Sequence, residues 1–232
     1  MTRRYFVPDL PPSGGWVGLP NAEAQHATRV MRLQIGDPVI LFDGKGSESQ
    51  AIVTAVSRNE CHCDARPSAL VDREPARAVH FGIALPKPDR ARELIERLTE
   101  LGVKSVTPLV AQRTQRPASN SLLEKLERGV VEACKQSGRN ELLQIKPTQQ
   151  ASKFFTTHAE IRRLIAHPSS EAKSLMAGNQ SSEVIAAIGP EGGWTDEEFQ
   201  TATDHGFEPV ALGQRIYRVE TAATVVAAVL VT

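Results

Sequence analysis

Cysteine, aromatic residues and net charge are all scarce in this chain. Three cysteines in 232 residues, Cys61, Cys63 and Cys134, are too few for a disulfide scaffold and fit a reducing compartment. Lysine plus arginine equals aspartate plus glutamate at 27 each. No global positive field therefore holds nucleic acid unspecifically, and an RNA partner has to be met by a local patch. No segment approaches the roughly 18 uninterrupted apolar residues of a membrane-spanning helix, and Met1–Asp9 lacks the apolar run of a signal peptide. The expectation is a cytoplasmic protein with no membrane partner. Several motifs are missing as well. There is no GxGxxG after a strand, no GxxxxGK followed by Ser or Thr, and no GxSxG, which removes the usual support for dinucleotide folds, phosphate-loop NTPases and α/β-hydrolases. Cys61-His62-Cys63 has no second cluster to complete a metal site. On a strand its two thiols face one side and the imidazole the other, which favours core packing, so no metal is expected.

Hydrophobic residues at 41% and charged residues at 23% suffice for a packed core. Residues 1 to about 66 read as a small β-rich unit, with short apolar or alternating runs at Tyr5–Val7, Trp16–Leu19, Pro38–Phe42, Ser49–Val56 and Cys61–Ala65. One helix is predicted over Ala22–Leu33, with Asn21 as N-cap, and Asp43-Gly44-Lys45-Gly46 is a tight-turn signal. Pro67–Arg77 reads as a linker. From Ala78 onward strands and helices alternate, which predicts an α/β domain with a parallel sheet covered by helices. Ser121 with Glu124, and Thr195 with Glu198, form candidate capping boxes.

Two glycine-containing segments stand at the ends of late strands: Ile188-Gly189-Pro190-Glu191-Gly192-Gly193-Trp194-Thr195 and Leu212-Gly213-Gln214-Arg215-Ile216-Tyr217-Arg218-Val219-Glu220-Thr221-Ala222. In open α/β sheets ligands bind outside the carboxyl ends of strands, and glycine lets bare backbone approach an adenine edge or a ribose. Each cluster alone reads equally well as a tight turn. Lys104–Lys153 carries nine basic residues against four glutamates, a charge excess that also fits a solvated helix face.

Taken together, IGPEGGWTDEE, LGQRIYRVETA, TELGV (99–103), KQSGRN (135–140), QHATRVMRLQIGD and FDGKG resemble the RsmE family, the bacterial 16S ribosomal RNA (uracil-N3) methyltransferases of the knotted SPOUT class. The resemblance implies a PUA-like RNA-binding β-barrel domain at 1–72, followed at 73–232 by a SPOUT methyltransferase domain whose parallel sheet carries a C-terminal trefoil knot. It implies S-adenosyl-L-methionine as methyl donor, a homodimer, and a uridine in the decoding region of the small ribosomal subunit as substrate. Carried over by position, the cofactor would meet Leu164 and His167 at one strand end. Ile188, Gly189, Glu191, Gly192 and Gly193 would supply a second loop, and Leu212, Gly213, Ile216 and Arg218 a third. The chain departs from the family pattern at Gln25-His26, Met31-Arg32, Arg97-Leu98, Gln214, Tyr217 and Val219.

Methylation at uracil N3 requires its proton to leave and the nitrogen to lie in line with the methyl carbon, so positioning and a base are the expected devices. Arg218 and Glu220 are the candidate catalytic pair: the arginine steadies a developing uracilate or a nearby phosphate, and the glutamate orients it or takes the proton. A helix-start charge is the alternative role for Glu220. Candidate RNA contacts are Arg3, Arg4, His26, Arg29 and Arg32 in the first domain, and Arg113, Arg139 and Asn140 in the second. Two other functions fit the same residues: an RNA-binding ribosome assembly factor without catalysis, and a methyltransferase acting on another RNA position. Reversing the charge of Arg29 and Arg32 is expected to lower RNA affinity and flatten its salt dependence, measured by filter binding across a salt series.

Overall fold

The computed structural model describes residues 3–157, 161–168, 173–175 and 181–231. Internal contacts divide the chain into two units, Met1–Glu74 with Val131–Leu142, and Pro75–Val130 with Leu143–Thr232.

In the first unit, β1 (Arg3–Phe6), β2 (Gly15–Gly18), β3 (Pro38–Phe42), β4 (Ser47–Val56), β5 (Cys61–Ala65) and the short β6 (Ala69–Leu70) make one sheet. Its order is β1-β3-β4-β5-β2, with β6 on β4. All pairs are antiparallel except β1 with β3. Alternation along β4 sorts its side chains: Ala51 and Val53 enter the core while Ile52 and Thr54 face out. Cys61 and Cys63 lie in the same core, and His62 turns to the other face and stacks on Trp16 with ring centroids 4.2 Å apart. Burial pushes the Cys63 thiol up to about 12. Among the described residues no group of three or more His, Cys, Asp or Glu side chains is gathered as a metal site would require.

The predicted Ala22–Leu33 helix is not one regular helix. Helix α1 covers only Asn21–Gln25, and a wider π-turn follows over His26–Val30. Arg32 then takes a left-handed backbone conformation at φ 51°. The widened turn lets both Ala27 and Leu33 reach the core, the Leu33 N–H bonding the Ala27 carbonyl at 3.0 Å. Arg29 and Arg32 are both exposed.

The FDGKG turn and the KQSGRN segment meet within this unit. Gly44 has φ 74°, and a Cβ there would sit 2.8 Å from both Leu142 and Phe6, so only glycine fits. Gly46 donates to the Asn140 carbonyl (3.2 Å) and Leu142 to the Gly44 carbonyl (3.1 Å). Around this clamp lies a buried polar network. Arg139, 5% exposed, donates twice to Glu74, at 2.8 and 2.5 Å. Asn140, 2% exposed, accepts from Arg4 and donates to the Val71 carbonyl at 3.3 Å. Arg4 and Arg73 both donate to Glu48. Arg4, Arg139 and Asn140 are therefore not a surface for RNA; a buried charge must be paired inside the protein, and these are.

The second unit is a parallel sheet. Its strands are β7 (Ala78–Ile83), β8 (Ser105–Val110), β9 (Gln144–Ile145), β10 (Gln149–Gln150), β11 (Arg162–Ala166), β12 (Lys173–Ser174), β13 (Glu183–Ile188) and β14 (Glu208–Ala211). They run β10-β8-β7-β13-β11-β14-β12, with β9 on β8, and every pair is parallel. Val184–Ile188 is buried throughout, as a parallel strand covered on both faces must be. The helices are α2 (Pro88–Glu100), α3 (Asn120–Ser137, of which Val131 onward belongs to the first unit), α4 (Ala151–Thr156), α5 (Asp196–Asp204) and α6 (Val219–Leu230). In α2 the stripe Leu94, Ile95 and Leu98 is buried. Helix α5 carries the Thr195–Glu198 capping box, whereas α3 starts earlier than its expected cap, the Ser119 hydroxyl accepting from the Leu122 N–H. Helix α6 lies against α2, β7 and β13.

Hydrogen bonds from Arg73 and then Arg4 hold the Glu48 carboxyl at about 2, below its ordinary 4.5. A carboxylate depressed in the folded state stabilises above its unfolded pKa, and that stability is lost as pH falls through the folded value. The thermal unfolding midpoint is expected to drop between pH 4.5 and about 2. Glu48→Gln should melt lower at neutral pH and show a shallower acid fall in calorimetry.

Candidate active site at the carboxyl edge of the parallel sheet

Because these strands are parallel, the carboxyl ends of β8, β11, β13 and β14 share one edge of the sheet. The loops that leave them surround a cavity of about 470 Å³, within the roughly 300–1,000 Å³ of small-molecule sites. Both glycine bends reach it, Gly189–Gly193 from β13 and Leu212, Gly213 and Ile216 from β14. His167 and Pro168 enter from β11, Arg113 from the loop after β8, and Val219 and Ala222 from α6.

The β13 loop is shaped by an aromatic. A Cβ on Gly189 would lie 2.9 Å from the Trp194 ring, so the backbone can pass this close only without a side chain. Trp194 is buried edge-on against Phe155, with centroids 5.4 Å apart, in a cluster with Phe154 and Phe207. Its indole Nε1 is buried and has no hydrogen-bond partner among the described residues. The Gly193 N–H closes the turn on the Pro190 carbonyl at 2.8 Å. Among the described residues the N–H groups of Glu191 and Gly192 find no acceptor, which leaves donors beside the cavity for a ligand.

His167 stacks on Phe199 at 4.1 Å, and its Nδ1 is buried with no hydrogen-bond partner among the described residues. Burial lowers its pKa from 6.5, with Asp196 partly opposing, so the ring is neutral at pH 7 and can accept or donate one hydrogen bond. Ile216 is 93% exposed at the rim. Arg218, at the N-cap of α6, is also exposed and does not line the cavity. Glu220 is buried in the first turn of α6. One of its oxygens lies 3.7 Å from Arg90 Nε, and the other has no partner among the described residues.

The cavity thus brings together His167, Ile188, Gly189, Glu191, Gly192 and Gly193 with Leu212, Gly213 and Ile216. Leu164 is not among them. It is fully buried inside β11, and Ala166, two residues nearer the strand end, reaches the cavity instead. Arg113 belongs to the cavity wall, where it donates to the Gly192 carbonyl at 2.8 Å. In the first unit Arg3 pairs with Asp37 and His26 Nδ1 lies 3.1 Å from Lys135 Nζ, while Arg29 bonds Asn59 at 2.6 Å. Sequence reasoning missed Trp194, Asp196 and the loop after β8. An aromatic directly after a glycine pair was the available signal for Trp194; nothing local marked the other two.

An RNA methyltransferase domain model matches residues 73–231, and an RNA methyltransferase PUA domain matches 19–65. The ribosomal RNA small subunit methyltransferase E of Synechocystis is 34% identical over 215 residues, covering 90% of this chain and 70% of that protein. The chain belongs to the ribosomal RNA small subunit methyltransferase E (RsmE) family. The Bacillus subtilis RsmE is 26% identical over 213 residues, covering 86% of this chain and 83% of that protein. An RsmE from Neisseria gonorrhoeae solved bound to S-adenosyl methionine superposes with a TM-score of 0.92 at 28% identity, covering 98% of this chain and 96% of that one.

In this RsmE-family chain Gly189→Ala is expected to push the indole of Trp194 off its seat and cost about 1–3 kcal/mol. Measured in a Trp16→Phe background, which leaves Trp194 as the sole tryptophan, the fluorescence emission should shift to the red and the denaturation midpoint should fall.

Proposed function

We propose that this chain transfers a methyl group from S-adenosyl-L-methionine to N3 of one uridine in the decoding region of 16S ribosomal RNA, as a cytoplasmic homodimer acting on the small ribosomal subunit. The observation that carries the reading is the cavity onto which both glycine bends open, with the Glu191 and Gly192 N–H groups free of acceptors among the described residues and His167 and Trp194 in its wall. Those groups fit a ligand with polar purine and ribose edges and a charged tail. When bound, the donor supplies an electrophilic methyl group on a sulfonium.

The remaining work falls to the chain. Uracil N3 must lose a proton as it attacks, so a base and accurate positioning are needed. Glu220 is the candidate base: it stands in the first turn of α6, and one of its oxygens has no partner among the described residues. Arg218 stands next to it, exposed, where it can steady the charge that builds on the uracil ring or hold an adjacent phosphate. Arg3, His26, Arg29 and Arg32 would meet the RNA backbone from the first unit. Pairing with a second copy is supported by α6, whose outer side offers Thr221, Val225, Ala228 and Val229 and carries no charge. The trefoil knot of the SPOUT class is supported by strand order: β14, last in sequence, lies between β11 and β12, which precede it.

Single-turnover methylation should slow by about 100-fold or more in Arg218→Ala and in Glu220→Gln, with donor affinity close to wild type. Wild-type chemistry in both variants removes them from the mechanism. Mass spectrometry of 16S RNA from a deletion strain should reveal one missing methyl group on a uridine. A complete methylation pattern, with no donor binding in calorimetry, favours an assembly factor instead.

A further inference from the structure

Arg113 reads from sequence as a cation for RNA phosphates, but its guanidinium is engaged elsewhere. Nη1 donates to the carbonyls of Gly192 (2.8 Å) and Trp194 (3.3 Å), which bracket the end of the glycine bend after β13. The same two peptide planes are held from their other ends. The Gly193 N–H bonds the Pro190 carbonyl, and the Thr195 N–H bonds Glu198 Oε2 at 3.0 Å. Glu198 in turn is buried, and its Oε1 accepts from the Gln112 N–H at 2.7 Å, directly beside Arg113. The Thr114 hydroxyl accepts from the Ala111 N–H at 2.9 Å and tightens the same loop from within. The loop after β8 and the loop after β13 are thus laced at two points. A cation bonds two carbonyls in one direction, and a carboxylate bonds an amide of each loop in the other.

We infer that Arg113 and Glu198 form a latch that sets the Gly189–Trp194 bend in its donor-binding shape, making Arg113 a positioning residue for the cofactor rather than an RNA contact. The inference rests on the proposed donor-binding function. With Gly192 and Trp194 carbonyls turned toward Arg113, the peptide groups of the bend cannot rotate freely. The Glu191 and Gly192 amides, which have no acceptor among the described residues, stay on the cavity side of a fixed turn. Without the latch the glycines would leave the bend free to sample many conformations, and each binding event would have to order them.

The test separates donor binding from RNA binding in the full-length protein. Arg113→Ala, at an exposed side chain that the core does not need, should weaken S-adenosylmethionine binding by about tenfold in calorimetry, the size expected for losing a charge-assisted contact. Filter-binding affinity for 16S RNA, and its salt slope, should stay within about twofold of wild type. Arg113→Lys should recover part of the loss, because an ammonium keeps the charge and the donors but sits one bond short of the position of Nη1. Glu198→Gln should reproduce the donor defect with RNA binding intact. Unchanged donor affinity in Arg113→Ala, or a comparable fall in RNA affinity with a slope lowered by about one, overturns the latch. Wild-type protein that binds no donor at all overturns the proposed function instead, so the two failures are distinct.

Discussion

Parallel alignment is the constraint from which the second unit follows. Its central strands β7, β13 and β11 can be covered on both faces only if the helices return outside the sheet, and each return brings the next strand in with the same polarity. All exits therefore open on one edge. In the Gly189–Trp194 bend three of the six residues are glycine, so bare backbone can approach a neighbour there, whereas Leu212–Arg218 holds one glycine, Gly213, among longer side chains. Chemistry is not spread over this fold; it is confined to the rim where the loops gather.

Within that rim, order comes from contacts among the protein's own groups. Trp194 is wedged against Phe155 and sets how close Gly189 must pass. Glu198 serves its own helix as a cap and, through Gln112, a neighbouring loop. A single buried carboxylate so satisfies donors that would otherwise be stranded on two separate connections. Helix α6 contributes from beneath, placing Val219 and Ala222 on the cavity and Glu220 just behind them.

Much of this was legible in the residues, where short-range physics decides. Strands Pro38–Phe42 and Cys61–Ala65 are bounded by turn residues, and their limits match the structure to the residue, while the Thr195–Glu198 capping box opens α5. The glycine segments could be placed because a sheet of parallel strands has one functional edge. What escaped depended on distant partners. Arg139 looked like a free cation after a helix, yet its partner Glu74 lies 65 residues away. Asn140 looked like a base reader, but it is bound to Arg4 across 136 residues. The π-turn at His26–Val30 follows from the need to seat Ala27 and Leu33 in one core, which no helical periodicity expresses. Leu164 was placed too early because a strand's alternation tells which face a residue takes, not how far along the edge lies.

The clamp between the FDGKG turn and residues 139–142 has a consequence for how the protein can be taken apart. The first unit is discontinuous in sequence, and its last piece is contributed by a stretch that follows more than fifty residues of the other unit. A fragment cut after Glu74 would keep Arg4, Glu48 and Glu74 but lose Arg139 and Asn140, and would uncover Phe6 where Leu142 belongs. Evolution, likewise, cannot shuffle this module as a single cassette: any exchange that carries the sheet without the distal arm inherits a hole and an orphaned Glu74 carboxylate.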